Sequence, residues 1–280
     1  MSKRSNLGHC KKTGPQSRVL VIPRRNVLVA VFEHPDYELR LAREFGLGAE
    51  VGVFAWPEVL ATDFRDRLKR MARRVNRLDG IVGCHGPFVD TMHTTLDAEI
   101  LKVVRRRYIE AFDIAESLGA RFIVFHSQYN VVVRIPSYPE LYHKQSLRFW
   151  PDIIRQAERR DIDIYIENMF DDSPAPLRRL ADALDSERLN LCLDPAHCLV
   201  YSELDLSEWI AVFGPHLRHV HLSDSNGVYD DHLGLGQGCL RLPETMALFK
   251  KAKRNLTYTL ETGKHTRASL RRLGLDEHKK

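Results

Sequence analysis

The chain alternates eight times between a short apolar segment and a longer amphipathic one. The apolar segments are rich in β-branched residues, as strands are, and lie at 26–32, 50–54, 80–85, 121–126, 162–167, 189–194, 217–222 and 256–261. The amphipathic segments have helical spacing and lie at about 36–46, 62–76, 97–118, 144–159, 174–184, 206–213, 243–253 and 266–273. Eight strand–helix pairs in a row indicate a parallel sheet, and eight parallel strands can close on themselves. The sequence therefore predicts an α/β protein, a (β/α)8 TIM barrel of eight parallel strands with outer helices.

The length of the chain suits one such barrel. A barrel of this kind takes about 250 residues, and the chain has 280. We expect a single barrel domain at 19–280, preceded by a flexible basic segment at 1–18 that lacks the apolar stretch of a secretory signal. No apolar run approaches the ~18 residues of a membrane span. The five cysteines include no CxxC pair, which favours a reducing, cytoplasmic setting without a membrane partner.

The net charge of +5 leaves two interpretations open. Basic residues cluster at 65–77, 105–107 and 250–254, among others. Most of these clusters fall on the polar faces of predicted helices, with acids nearby, which favours ordinary solvated surfaces. Attraction of phosphate, on a substrate or on a nucleic acid, is the alternative.

Residues that can bind a metal ion lie at or just after the ends of six predicted strands. They are His85, His126, Glu167, Asp194, His197, His221 and Glu261. Asp230 and His232 follow in the loop after the seventh strand. The carboxyl ends of the strands of a parallel barrel meet at one mouth, so these residues should converge there. Imidazoles and carboxylates together are the donors of a divalent metal site.

The alternation of side chains along the strands supports this convergence. In the fifth strand Ile164 and Ile166 share one face, while Tyr165 and Glu167 share the other. The sixth, seventh and eighth strands alternate in the same way. The apolar set should pack under the helices, so the predicted ligands should point toward the barrel axis.

Short motifs surround these residues in a characteristic order. They are Cys84-His85-Gly86-Pro87, Phe125-His126-Ser127, Ile166-Glu167-Asn168, Asp194-Pro195-Ala196-His197, His219-Val220-His221-Leu222-Ser223-Asp224, the loop at 230–238, and Glu261. From about residue 26 to 265 this order and spacing resembles the xylose isomerase-like barrels, also called the AP endonuclease family 2 superfamily.

The resemblance implies one of two chemistries. Sugar isomerases and epimerases of the superfamily hold one divalent ion (Mn, Mg, Co or Zn) with a set that corresponds to Glu167, Asp194, His221 and Glu261. Endonuclease IV, which cuts DNA at abasic sites, holds three zinc ions, with added ligands that correspond to His85, His126, His197, Asp230 and His232. The chain carries all nine residues. However, Ser127-Gln128-Tyr129 stands where endonuclease IV has Gly-Ser-His, and Asn168-Met169-Phe170-Asp171 replaces its Thr-Ala-Gly-rich turn.

These departures favour the sugar branch. The resemblance then implies proton transfer on a small sugar or sugar phosphate through a metal-stabilised enediolate, with Glu167 and Glu261 as the catalytic carboxylates. Trp56, Phe88 and Asn168 are predicted to line the substrate pocket. DNA is a partner only in the endonuclease alternative, and a homo-oligomer is compatible with the sequence. A barrel that binds a metal without catalysis is a third class, which the presence of both glutamates disfavours.

Overall fold

Eight parallel strands close into a barrel in sequence order, and the eighth pairs with the first. The computed structural model describes residues 22–252 and 255–277; the basic segment predicted at 1–18 lies outside them. The strands are Val27–Val31 (β1), Gly48–Val51 (β2), Val82–His85 (β3), Phe122–His126 (β4), Asp163–Glu167 (β5), Leu189–Leu193 (β6), Leu217–Leu222 (β7) and Thr257–Leu260 (β8). The predicted (β/α)8 TIM barrel is confirmed.

Helices follow the strands and surround the barrel. They are Pro35–Phe45 (α1), Pro57–Leu60 (α2), Arg65–Val75 (α3), Ala98–Leu118 (α4), Tyr138–Arg160 (α5), Ala175–Leu184 (α6), Pro195–Tyr201 (α7), Leu206–Phe213 (α8), Leu242–Lys251 (α9) and Thr266–Arg272 (α10). None of the helices in the described part of the chain is both long enough and apolar enough to cross a membrane.

The apolar core has two layers, as the strand alternation predicts. Ile164 and Ile166 belong to the large cluster that packs the strands against the helices. Leu28, Phe122, Val124 and Cys192 form a second cluster, and Tyr165 packs against it. Residues of β1, β4, β5 and β6 can meet in this way only inside the barrel, so the interior below the mouth is filled with side chains. The predicted ligands lie above this plug.

Two elements differ from the prediction in their bounds. Helix α5 begins at Tyr138, not near 144, because Tyr138 and Tyr142 pack with Tyr129 into a small aromatic cluster of their own. Strand β2 covers Gly48–Val51, not 50–54, since Gly48 pairs with Leu28 of β1. The apolar residues that follow β2 are buried without extending the strand. The short helices α2 and α7 were not predicted.

Candidate metal centre

The nine predicted ligands converge at the carboxyl ends of the strands. A cavity of about 1070 Å³ opens there, and its lining includes His85, His126, Glu167, His197, Asp230, His232 and Glu261. The other two predicted ligands, Asp194 and His221, are fully buried. Parallel strands that end together thus assemble residues separated by up to 176 positions in the sequence, as for His85 and Glu261.

Glu167 lies at the centre of the arrangement. Its Oε2 is 3.7 Å from His85 Nε2 and 3.5 Å from His126 Nε2. Its Oε1 is 3.1 Å from His221 Nδ1 and 3.5 Å from His197 Nδ1. One carboxylate therefore faces four imidazoles from four different strands or strand ends.

Three groups of donor atoms can be distinguished around Glu167. The first group is His85, His126 and Glu167; the second is Glu167, Asp194, His221 and Glu261; the third is His197, Asp230 and His232. Within each group the donor atoms lie within 4.8 Å of one another. The first and second groups share Glu167, so ions bound in both would be neighbours.

Backbone carbonyls fix the orientation of three of the histidines. Nδ1 lies 2.8 Å from the Gly86 oxygen in His85, 2.7 Å from the Asn168 oxygen in His197 and 3.0 Å from the Glu261 oxygen in His232. A carbonyl can only accept, so each Nδ1 carries the proton and each Nε2 keeps its lone pair. These three Nε2 atoms are then available as metal ligands.

The segment that begins at Asp194 folds as its sequence favours. Asp194 is the N-cap of α7, and its Oδ1 accepts from the amides of Ala196 at 2.6 Å and His197 at 3.1 Å. Pro195 occupies the first turn, where its missing N–H costs nothing. The cap uses one carboxylate oxygen, which leaves Oδ2 for the second group.

The side chain of Asn168 is hydrogen-bonded to the backbone of Asp194. Its Oδ1 accepts from the Asp194 amide at 2.8 Å, and its Nδ2 donates to the Asp194 carbonyl at 3.1 Å. The side chain is fully buried. The amide predicted to contact substrate is thus bonded to the backbone of a predicted metal ligand.

Asp224 anchors the loop that carries Asp230 and His232. Its carboxylate accepts backbone amides of Ser225 at 2.9 Å and Leu240 at 2.8 Å through Oδ1, and of Gly236 at 2.8 Å and Gly238 at 3.0 Å through Oδ2. A Cβ at Gly238 would lie 2.3 Å from the Ser225 oxygen, so the close approach requires glycine.

Several buried polar atoms in the centre are unsatisfied by the protein. Both Glu167 oxygens, Asp194 Oδ2, His221 Nδ1 and Asp230 Oδ1 make no hydrogen bond of acceptable geometry among the described residues, although Glu167 Oε1 and His221 Nδ1 are 3.1 Å apart. Leaving such atoms unpaired in a buried site is costly. Carboxylate oxygens and imidazole nitrogens are donors that Mn²⁺, Co²⁺ and Zn²⁺ all accept, so this donor set fits a divalent ion.

The surroundings shift the pKa values of the two glutamates in opposite directions. Burial would raise the pKa of Glu167, but His221 and the neighbouring histidines hold that pKa well below its usual value. Burial raises the pKa of Glu261 and of Asp194. Burial opposes the charge on His221, yet the surrounding carboxylates raise its pKa well above the usual value. In the metal-free centre His221 thus carries a proton that a bound cation would displace.

Aromatic side chains form part of the cavity wall. Trp56 and Phe88 line the cavity and meet edge to face, with ring centroids 5.0 Å apart. Phe170 also lines it, is 40% exposed and contacts Tyr201 edge to face. Phe170 was not among the predicted pocket residues, although its position three residues after the end of β5 is a signal that could have placed it there.

Glu50 is the residue of the centre that sequence reasoning missed. It lies on β2, is completely buried, and its carboxylate comes within 4.8 Å of nitrogens of His85 and His221. It also accepts from Thr259 Oγ1 at 2.6 Å and lies 3.1 Å from His219 Nε2. A single acid in an otherwise apolar strand was the available signal. His219 of β7 is also completely buried, and its Nδ1 lies 2.6 Å from Thr257 Oγ1.

The chain is similar in sequence or structure to several known proteins. The chain is 24% identical over 195 residues to the uncharacterized protein MJ1311 of Methanocaldococcus jannaschii, a match that covers 66% of this chain and only 65% of that protein. It resembles the TTHB071 protein of Thermus thermophilus, in a structure soaked with ZnCl2, with 29% identity, a TM-score of 0.74 and coverage of 89% of this chain and 96% of the other. A D-tagatose 3-epimerase-like protein shares the fold at 18% identity, with a TM-score of 0.73 and coverage of 89% and 97%.

The family model of the xylose isomerase-like TIM barrel matches residues 39–278. The resemblance drawn from the motifs is thereby confirmed, and the chain belongs to the xylose isomerase-like TIM barrel family.

Proposed function

We propose that this protein is a divalent-metal-dependent isomerase or epimerase of a small sugar or sugar phosphate. The observation that carries the proposal is the second group, in which Glu167 Oε1 and Glu261 Oε1 lie 3.1 and 3.5 Å from the same His221 nitrogen. Both glutamates also line the cavity. A substrate in the cavity would therefore meet two carboxylates beside one cation site. The epimerase-like name of one structural neighbour agrees with this chemistry.

The residues of the centre would have two roles, binding of the metal ion and transfer of a proton. Asp194, His221 and the two glutamates would hold the ion, which when bound polarises a substrate carbonyl. One glutamate removes the proton from the carbon next to the carbonyl. The other returns a proton to the opposite face or to the neighbouring carbon.

Exchange of carbon-bound hydrogen tests this proposal. Pentuloses, hexuloses and their phosphates are incubated with the Mn²⁺-loaded protein in deuterated water, and deuterium on carbon is followed by NMR. Exchange and a new sugar are expected for the wild type, and neither for Glu167→Gln or Glu261→Gln. Glu99→Gln, on the outer surface at the start of α4, is the matched control and keeps full activity. Full activity in either site variant contradicts the two-carboxylate mechanism.

A second candidate is hydrolysis of a phosphodiester, favoured by the completeness of the first and third groups. Those groups add His85, His126, His197, Asp230 and His232, so the centre has donors for up to three zinc ions. Clustered ions suit the attack of water on a phosphodiester and the stabilisation of its leaving oxygen. The two candidates differ in metal content, near one ion per chain against near three. Nicking of a duplex with an abasic site, without sugar exchange, selects the second.

A further inference from the structure

His221 differs from the other histidines of the centre in the nitrogen that it directs at the cation site. His85, His197 and His232 each bind a backbone carbonyl through Nδ1. His221 instead directs Nδ1 toward Glu167 and Glu261. Its Nε2, on the other side of the ring, faces a carboxylate instead of a backbone carbonyl.

The group that meets this Nε2 is the Glu50 carboxylate. His221 Nε2 lies 3.2 Å from both carboxylate oxygens. Glu50 reaches it from β2 across the interior of the barrel, since His221 is on β7 and the two strands are separated by β1 and β8.

The other contacts of Glu50 hold its carboxylate in the ionised, accepting state. Thr259 donates at 2.6 Å, and His219 Nε2 lies 3.1 Å away. A carboxylate in this state can only accept. Both imidazoles must therefore present N–H at Nε2, and Thr257 can donate to Nδ1 of His219 at 2.6 Å. One assignment of protons is thus consistent with every hydrogen bond that Glu50 Oε2 accepts.

We propose that Glu50 is the positioning residue of the centre: it keeps the proton on Nε2 of His221 and so directs Nδ1 of His221 to the metal ion. A carboxylate behind a ligand histidine fixes the ring and makes it a stronger donor. The inference rests on the cation site of the proposed function and not on the reaction catalysed there. It applies equally to one bound ion or three.

Zinc affinity is the first test, measured by competition with a chromophoric chelator. Glu50→Gln keeps the size of the side chain and removes its charge, and it should weaken zinc binding about 10- to 100-fold, the usual cost of losing such a partner. Thr257→Val is the control, because it alters His219 without touching Glu50, and it should bind zinc as the wild type does. The rise in Tm on adding zinc should shrink in Glu50→Gln; a merely structural residue would lower Tm equally with and without zinc.

Nitrogen NMR of the histidine rings is the second test and needs no variant of Glu50. In the zinc-loaded wild type, His221 should carry its proton on Nε2 and bind through Nδ1; His221→Asn identifies its signals. Coordination through Nε2, or wild-type zinc affinity in Glu50→Gln, overturns the inference and leaves the cation site standing. A wild type that binds no divalent ion overturns the proposed function and this inference together.

Discussion

Glu167→Gln should remove more metal from this protein than any other single change of a carboxylate to its amide. Glu167 is the only one of the predicted ligands that belongs to both the first and the second group, and its two oxygens face four imidazole nitrogens at 3.1 to 3.7 Å. The amide keeps the size of the side chain but removes the charge. Breaking a buried charge pair costs about 3–5 kcal/mol, and each 1.4 kcal/mol is a factor of ten. The zinc affinity of both groups should therefore fall by roughly two to three and a half orders of magnitude.

Equilibrium dialysis against zinc, followed by elemental analysis, measures this effect as ions per chain. Glu261→Gln should weaken the second group alone, and Asp230→Asn the third group alone. Glu167→Gln should keep only an ion in the third group, if the wild type has one there. If Glu167→Gln binds as many ions as the wild type, with the same affinity, then Glu167 is not the shared ligand and the grouping of donors is wrong.

Three further predictions concern Asn168 behind Asp194, the buried histidine His93, and the aromatic residues Trp56 and Phe88 of the cavity wall. Asn168→Ala leaves the amide of Asp194 unpaired and removes one of the two donors to its carbonyl, the other being the Cys198 amide. It should lower the free energy of unfolding by about 1–3 kcal/mol; a loss below about 0.5 kcal/mol in urea unfolding contradicts this role. Burial lowers the pKa of His93 to about 3, against about 6.5 in the unfolded chain, so the unfolded state binds the extra proton below pH 6.5 and stability falls as pH falls toward 3. His93→Phe should therefore lose about 2 kcal/mol less than the wild type between pH 7 and 5, and equal losses refute the burial argument. Trp56→Ala and Phe88→Ala should raise KM for the substrate about tenfold with little change in kcat; unchanged KM values would exclude these rings from substrate binding.

The fold was predictable because the information is local and repeated. Each strand is a short apolar run, each long helix has its own spacing, and the number of strand–helix pairs is the one found in closed parallel barrels. Alternation along β5 then assigned Ile164 and Ile166 to the helix side and Tyr165 to the interior, as found. The bounds of α5 were less predictable, because an aromatic cluster outside the barrel decides where that helix begins.

The parts of the site that the sequence could not reveal depend on contacts between distant strands. Glu50 and His221 are 171 positions apart, and nothing local to β2 indicates that its acid faces an imidazole. The role of Asn168 was also hidden. A buried amide beside a ligand can face either a substrate or the backbone, and only the packed structure shows that it binds Asp194.

The four amides gathered by Asp224 divide the loop after β7 into two kinds of position. Gly236 and Gly238, whose amides the carboxylate binds, cannot take a larger residue, because a Cβ would lie 2.3 Å from Arg272 Cζ at Gly236 and 2.3 Å from the Ser225 oxygen at Gly238. Val228 and Tyr229 lie between the held residues Ser225 and Gly236, and their side chains are 51% and 68% exposed. Substitutions at these two exposed positions should therefore change the outer surface of the loop while the backbone that carries Asp230 and His232 keeps its shape.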